Sequence, residues 1–431
     1  MLDAPKPRKE VGAAEAGRLH FFIAALLALG SPASARLLPG GPAVALSPCP
    51  SGYVLSGPYC SLSTPVQAPP AATLHYAPNA NMVNGVYAPG AVGYNLADVD
   101  GIDQLNSLPA GIKGLMFLGQ TAGDTSAFEA MVAPFVGKAN LWGFYLADDP
   151  RISRVPPANL MAEADYIHAH FPGIKVFVTL YNEGQPLTPH YDFNPANTHI
   201  DFFGPPGYAS QRSLTNGFDI GVVTAAVSAA NAAGIPSAQI VPVYQAFGGV
   251  SPWTMPTVPQ TEQIILAWRQ LVPNPAFDYT YSWGLQPAFD TITLANSPQL
   301  QPVYAANNAG TPFPDPPAPV ITVPTGTVVV SNPTISGTAN SGYNVTISID
   351  GVVAGPPVTA TNNAWSFQAQ ALGNGSHSVT AVAADPTTGR NSVVSSPDSF
   401  TVALGPPPVP LIISPANGSS VFNPVTSRIG K

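Results

Sequence analysis

The chain has 431 residues, of which 45% are hydrophobic and only 9% charged, with 51 prolines and 39 glycines. That length and apolar content support two to three domains with at least one full core, and they exclude global disorder. A formal charge of −8 with only 15 Lys plus Arg, and no basic patch, argues against nucleic acid as a partner.

The N-terminus carries Lys6, Arg8, Lys9 and Arg18, then the apolar run HFFIAALLALG (His20 to Gly30), then SPASA with small residues at Ala33 and Ala35. That order predicts a Sec signal peptide over residues 1–35, cleaved between Ala35 and Arg36, and hence a secreted or cell-surface protein. A membrane anchor is the alternative, but a run of that length spans only about 16 Å as a helix, so no stable membrane insertion is expected. Residues 36–75 form a Pro-rich segment holding both cysteines, in CPSGYVLSGPYC. Outside the cytoplasm this spacing predicts a disulfide between Cys49 and Cys60; half a metal site would lack any nearby His or second Cys pair.

From Val83 to about Asn308, short β-rich runs alternate with segments whose apolar residues recur at three and four. The runs are VNGVYA (Val83 to Ala88), GLMFLG (Gly114 to Gly119), LWGFYLA (Leu141 to Ala147), KVFVTLYN (Lys175 to Asn182), HIDFFG (His199 to Gly204), IVPVYQAF (Ile240 to Phe247) and FDYTYSWG (Phe277 to Gly284). Between them SAFEAMVAPFVGK, PPANLMAEADYIHAHF, FDIGVVTAAVSAANAAG and QTEQIILAWRQLV carry the helical period. Strand then helix, repeated about seven times, predicts a (β/α)8 TIM-like barrel over residues 76–310. TLHYAPN before Val83 or TITLAN after Asp290 is expected to supply the eighth strand. DVDGID (Asp98 to Asp103) has the spacing of a calcium loop, but Ile102 and Pro109 occupy ligand positions, so it reads as the capped start of a helix.

TPFPDPPAP, residues 311–319, is a Pro-rich linker. Over residues 320–403 Thr, Val and Ser alternate between NSG, DG and GNG turns, which predicts an all-β sandwich with Trp365 and Phe367 in its core. PPAPVITVPTGTVVVSNP (Pro316 to Pro333) aligns without gaps onto PPVPLIISPANGSSVFNP (Pro407 to Pro424), so residues 404–431 read as a linker and the first strand of a second repeat. One strand cannot bury a core, so this tail is expected to lack packing, whether it begins a longer array or is a remnant.

PTISGTANSGYNVTISIDG, NNAWSF and LGNGSHSVTAVAAD make residues 319–402 resemble the tandem bacterial Ig-like domains of secreted and cell-surface proteins. The resemblance implies a spacer or adhesive module with no chemistry of its own. Over about Val83 to Gln286 the chain is similar to secreted glycoside-hydrolase-like TIM barrels whose third or fourth strand ends in Asp-Glu-Pro. Here GFYLA leads into Asp148-Asp149-Pro150, VPVYQAFGG matches a strand ending in Gln-Ala-Phe, and YTYSW matches a late strand ending in Tyr-x-Trp. The motif's Glu is replaced by Asp149, one methylene shorter.

Catalytic groups of such barrels lie at the C-terminal strand ends. Those ends supply Gln120, Tyr145, Asp148, Asp149, Tyr181, Glu183, Tyr208, Tyr244, Gln245, Tyr281 and Trp283. Rings that stack on the C–H faces of sugars, beside amides and carboxylates that take hydroxyls, suit a carbohydrate partner. Glycosidic cleavage uses two carboxyl groups, and Asp149 as acid with Glu183 as its partner are the catalytic candidates. Asp148 is the candidate for orienting substrate, and the aromatic and amide side chains are the binding candidates. Structural roles stay open: Asp148 and Asp149 could cap the following helix or pair with Arg151 and Arg154, and Glu183 before Gly184 could be a solvated turn carboxylate. His168 and His170 face different sides of a helix, and no HExxH, Gly-rich phosphate loop or Gly-x-Ser-x-Gly elbow occurs, so neither metal nor cofactor is predicted. The sequence therefore reads as an exported carbohydrate-active protein that hydrolyses glycosidic bonds of a polysaccharide or cell-surface glycan; the alternative is a non-catalytic glycan-binding or adhesive surface protein on a degenerate barrel.

Overall fold

The computed structural model describes residues 53–56, 59–62, 74–286 and 289–405. The expected signal peptide, Cys49 and with it the expected pairing to Cys60, and the start of the second repeat lie outside the described residues. Tyr53–Ser56 and Tyr59–Leu62 pair as an antiparallel hairpin.

Eight parallel strands follow: β1 His75–Ala77, β2 Leu96–Val99, β3 Lys113–Phe117, β4 Leu141–Ala147, β5 Lys175–Thr179, β6 Phe202–Gly204, β7 Val243–Gln245 and β8 Asp278–Tyr281. Strands β1 to β6 pair in sequence, β7 pairs with β8, and β8 pairs with β1. The seam between β6 and β7 is joined by a parallel bridge at Phe203 and Ile240, where the Val241 N–H donates to the Phe203 carbonyl at 2.8 Å. The sheet thus closes into a TIM-like barrel. Helices α1 Ile102–Ser107, α2 Ser126–Val132, α3 Pro157–His170, α4 Pro195–Thr198, α5 Gly221–Ala232, α6 Val258–Leu271 and α7 Gln301–Ala309 connect and cover the strands. Gly310 ends α7 in the left-handed region at φ 64°, its N–H returning to Ala306 and Asn307 carbonyls.

Every strand is buried on both faces, so alternate residues enter two different cores. Tyr76, Leu96, Leu115, Tyr145, Phe177, Val243 and Tyr279 fill the lumen, while Ala97, Met116, Phe144, Val178, Phe203 and Tyr244 pack under the helices. Gly143 interrupts this alternation in β4, where the pairing register with β3 shifts. A Cβ there would stand 2.6 Å from the Lys175 carbonyl, so only glycine lets β4 approach β5 at this point. At the opposite barrel end His75 pairs with Asp278 at 3.0 Å, Asn307 donates to Asp278, and Arg269 donates to Asn307. Burial pulls the His75 pKa down, but the Asp278 charge and hydrogen bond outweigh it and the net direction is up.

Two assignments differ from expectation. TLHYAPN does supply a strand, β1, but VNGVYA does not: Met82–Val83 and Val86–Tyr87 form a hairpin off the barrel around Asn84 and Gly85, both at positive φ. The missing barrel strand is Leu96–Val99, which runs into DVDGID. Helix α1 does begin at Ile102, yet Gly101 precedes it and no side chain caps it. Ile292–Thr293, from TITLAN, pairs antiparallel with Phe247–Gly248 outside the barrel.

Beyond the linker, residues 320–402 form two sheets, one of Val320–Val323, Thr334–Thr338 and Ala364–Gln368, the other built on Asn344–Ile349, Gly375–Ala384 and Asp398–Val402. They enclose a core containing Ile335, Val345, Ile347, Trp365, Phe367 and Phe400. This β domain sits on α6: Arg390 pairs with buried Glu262 at 3.1 Å, and the Thr387 hydroxyl donates to the Pro259 carbonyl at 3.0 Å. Among the described residues no helix is long and apolar enough to cross a membrane.

Candidate functional site at the barrel mouth

The lumen changes character along its axis because the inward positions change from apolar to polar at the C-terminal strand ends. Two residues after Leu96 comes Asp98, and two after Phe177 comes Thr179. The Tyr76 hydroxyl donates to Asp98 Oδ1 at 2.9 Å and the Asn79 N–H to Oδ2 at 3.2 Å. Two strands further round, the Tyr145 and Thr179 hydroxyls both donate to Asp148 Oδ1, at 2.7 and 2.9 Å. Two strand-end aspartates are thus held by hydroxyls rooted in the barrel floor.

Tyr279 lies between them and feels both charges, Asp148 the more strongly. Burial, reinforced by these aspartates, pushes the hydroxyl pKa values of Tyr76, Tyr145 and Tyr279 well above the ordinary phenol value. Each therefore stays a neutral hydroxyl at physiological pH, able to donate to a carboxylate or a ligand. Phe117 and Tyr145 meet edge to face at 5.2 Å, and Tyr208 meets Phe247 at 4.9 Å, so the polar groups rise from an aromatic wall.

Asp149 is held differently. Its backbone is left-handed at φ 50°, and its N–H donates to the same Thr179 hydroxyl that serves Asp148. The charge of Asp149, after burial, is the leading influence on Tyr208 and also reaches Tyr191 and Tyr181. Neither aspartate caps α3, whose N-cap Pro156 has no side-chain bond.

The remaining candidates fall into three places. Tyr208 and Tyr281 lie half-buried against the lumen cluster, and Gln120 is half-exposed at the rim. Tyr181 lies under the Arg151 guanidinium, 3.7 Å from its ring centre, and Glu183 is exposed on the adjoining turn, close enough to influence Tyr181. Tyr244, Gln245 and Trp283 are not open to the mouth: Tyr244 packs toward Tyr304 under the helices, Trp283 is buried against Tyr94, and Gln245 is saturated by the backbone of Ser210 and Thr254. Among the described residues no cluster of three or more His, Cys, Asp or Glu could hold a metal ion.

Sequence inspection missed Asp98, Tyr76, Thr179 and Tyr279. The signal was present as parity for three of them: Asp98 and Thr179 each lie two residues beyond a lumen residue of their own strand, Leu96 and Phe177, and Tyr279 lies two before Tyr281.

No family model and no curated protein matches this chain. Solved structures do. A β-glucuronidase from Bacteroides uniformis is 10% identical over 78% of this chain and 46% of that chain, with a TM-score of 0.38. An FMN-binding β-glucuronidase from Facaelibacterium prausnitzii is 10% identical over 80% of this chain and 57% of that one, also at 0.38. A cell-surface-expressed, multi-modular chitinase from Paenibacillus sp. is 10% identical over 68% and 47%, at 0.37. The chain spans about half the length of these structures. Likenesses of this degree carry no argument about chemistry, which rests on the strand ends alone.

Proposed function

We propose that this chain is an exported carbohydrate-active protein whose barrel mouth binds a glycan and hydrolyses a glycosidic bond. The observation that carries this reading is the pair Asp98 and Asp148, fixed by tyrosine and threonine hydroxyls around Tyr279 inside an aromatic lumen. Sugar rings need flat apolar surfaces and oriented acceptors together, and the mouth offers both. Asp149, whose charge reaches Tyr208, is the proton donor; Asp98 supplies the second carboxyl group that glycosidic cleavage requires, and Asp148 orients the substrate. Glu183, exposed on its turn, contributes at the rim. The N-terminal segment directs export, and the β domain acts as an Ig-like spacer.

A second reading, glycan binding without cleavage, is favoured by one feature: both oxygens of Asp98 and one of Asp148 already accept protein donors. A glycan array read beside a reducing-end release assay separates the two. Binding with release supports hydrolysis, binding alone supports the second reading, and no binding to any glycan overturns both. N-terminal sequencing of the mature protein tests export, with Arg36 as the expected first residue.

A further inference from the structure

A groove of about 470 Å³ runs between the barrel and the β domain and is lined by none of the mouth residues. Its barrel wall includes Met255, Ile292 and Gln299, from the segments following β7 and β8; its other wall includes Asn340, Thr361 and Asn362 from turns of the β domain. The walls are fixed in place. Arg390 and Thr387 tie the β domain to α6, and Gly342, left-handed at φ 93°, brings its turn so close that a Cβ would stand 2.7 Å from the Thr257 hydroxyl.

The lining selects the occupant. No side chain lining the groove carries a charge, so an ionic ligand would enter without a counter-charge and lose its hydration. The side-chain amides of Gln299, Asn340 and Asn362 have no protein hydrogen bond among the described residues and remain open to a ligand. Met255, Ile292 and several prolines supply apolar surface between these amides. Amide donors and acceptors interleaved with aliphatic surface suit a neutral molecule with hydroxyls on its edge and C–H on its faces, and the volume is that of a small-ligand site. The groove also adjoins the mouth. Ile292 pairs across to Gly248, next to Phe247, whose ring meets Tyr208 at 4.9 Å and Tyr281 at 5.0 Å.

We propose that this groove is a second carbohydrate site, holding a neutral oligosaccharide segment beside the mouth. The choice of a sugar rests in part on the reading of the mouth as a glycan site, and the test keeps the two apart. The full chain, labelled at methionine and isoleucine methyls, is titrated with neutral tetrasaccharides of the cello, malto, xylo and chito series. At least one is expected to shift the methyl signals of Met255 and Ile292. Thr361→Trp, which adds bulk from an exposed turn, should abolish those shifts and weaken this site by about tenfold or more. Gln299→Ala with Asn362→Gly, which removes two amides without bulk and keeps the left-handed turn, should weaken it as well. Tyr281→Ala should leave both methyl shifts intact while reducing binding at the mouth. If no tetrasaccharide moves these methyls, or if the shifts survive Thr361→Trp, the proposal is overturned. If Tyr281→Ala changes nothing while the methyl shifts persist, the reading of the mouth fails and the groove stands.

Discussion

At the mouth, Asp98, Asp148 and Asp149 stand at least partly open among hydroxyl donors, whereas at the junction between barrel and β domain Glu262 and Asp385 are fully buried against Arg390. The same side-chain chemistry therefore has opposite uses. Burial, followed by the hydrogen bond and charge of Asp385, pushes the Glu262 pKa up to about 10, so Glu262 is protonated at neutral pH. Asp385 is further held by the Thr387 N–H and the Thr388 hydroxyl. Asp385, held by Arg390 and by two local donors, has nothing left for a ligand, while Asp148 keeps one oxygen open. Exposure and unspent hydrogen-bonding capacity, rather than residue type, separate a site from a structural anchor.

The largest effect expected from breaking this contrast is at the mouth. Asp149→Asn keeps the size of the side chain and suits the left-handed backbone at φ 50°, so the fold and glycan affinity should persist. Turnover measured by reducing-end release should fall by roughly 10²–10⁴-fold, the range that a positioned acid supplies. Asp148→Asn should instead weaken glycan binding more than turnover, because Tyr145 and Thr179 lose their charged acceptor. A drop in melting temperature on Asp149→Asn with unchanged turnover would make it a structural turn residue.

At the junction the order reverses. Arg390→Met leaves buried Asp385 without its cation and should destabilise the chain by about 2–4 kcal/mol in denaturant unfolding, toward the lower part of the range for a broken buried pair because Arg390 is itself partly exposed. Glu262→Gln should cost less than about 1 kcal/mol, since the glutamate is already neutral and the amide retains a donor. Neither change should alter turnover at the mouth. A loss of activity in Arg390→Met without loss of stability would show that the junction communicates with the mouth.

How much of this was legible in the sequence follows from the same distinction. The strand runs from Gly114 onward were readable because two-sided burial makes them long and apolar. Leu96–Val99 was not, because four residues containing an aspartate look like a loop unless Tyr76 is known to wait opposite Asp98. VNGVYA has strand composition, yet Asn84-Gly85 is a hairpin turn that folds it on itself. Tyr244 and Trp283 are aromatic and near strand ends, but strand parity turns Tyr244 outward and the turn after Tyr281 buries Trp283. Composition locates strand ends; facing requires the register.

A buried carboxyl outside both regions sharpens the comparison with pH. Glu163 on α3 accepts the Gly123 N–H at 2.9 Å through one oxygen while the other is buried without a partner, and burial raises its pKa to about 8. Because the folded pKa exceeds the unfolded one, the folded state binds the extra proton between about pH 4.5 and 8, and stability should fall as pH rises through that window, by up to about 1.4 kcal/mol per unit. Glu163→Gln should flatten that part of the stability profile. An unchanged slope would mean that Glu163 ionises in the folded state as it does in the unfolded one.

The smallest effect belongs to a carboxylate in neither setting. Asp350 sits on an exposed turn of the β domain, left-handed at φ 51°, accepting from Ser378 N–H and pairing with His377 at 2.7 Å. The hydrogen bond from His377 holds the Asp350 pKa below its ordinary value, and a backbone carbonyl followed by Asp350 raises that of His377. Asp350 therefore adds stability that is present above its unfolded pKa and lost as pH falls through its lowered folded value. His377 adds stability that is complete below its unfolded pKa and lost as pH rises through its raised folded value. The two overlap only in mildly acidic solution. Solvent screens the pair, so Asp350→Asn should cost less than about 1 kcal/mol even there, and the resulting Asn-Gly turn preserves the hairpin. The His377 pKa followed by NMR should move down toward the free imidazole value. If it stays raised, the Gly373 carbonyl alone holds the ring, and the exposed carboxylate, unlike those at the mouth and the junction, has no electrostatic role.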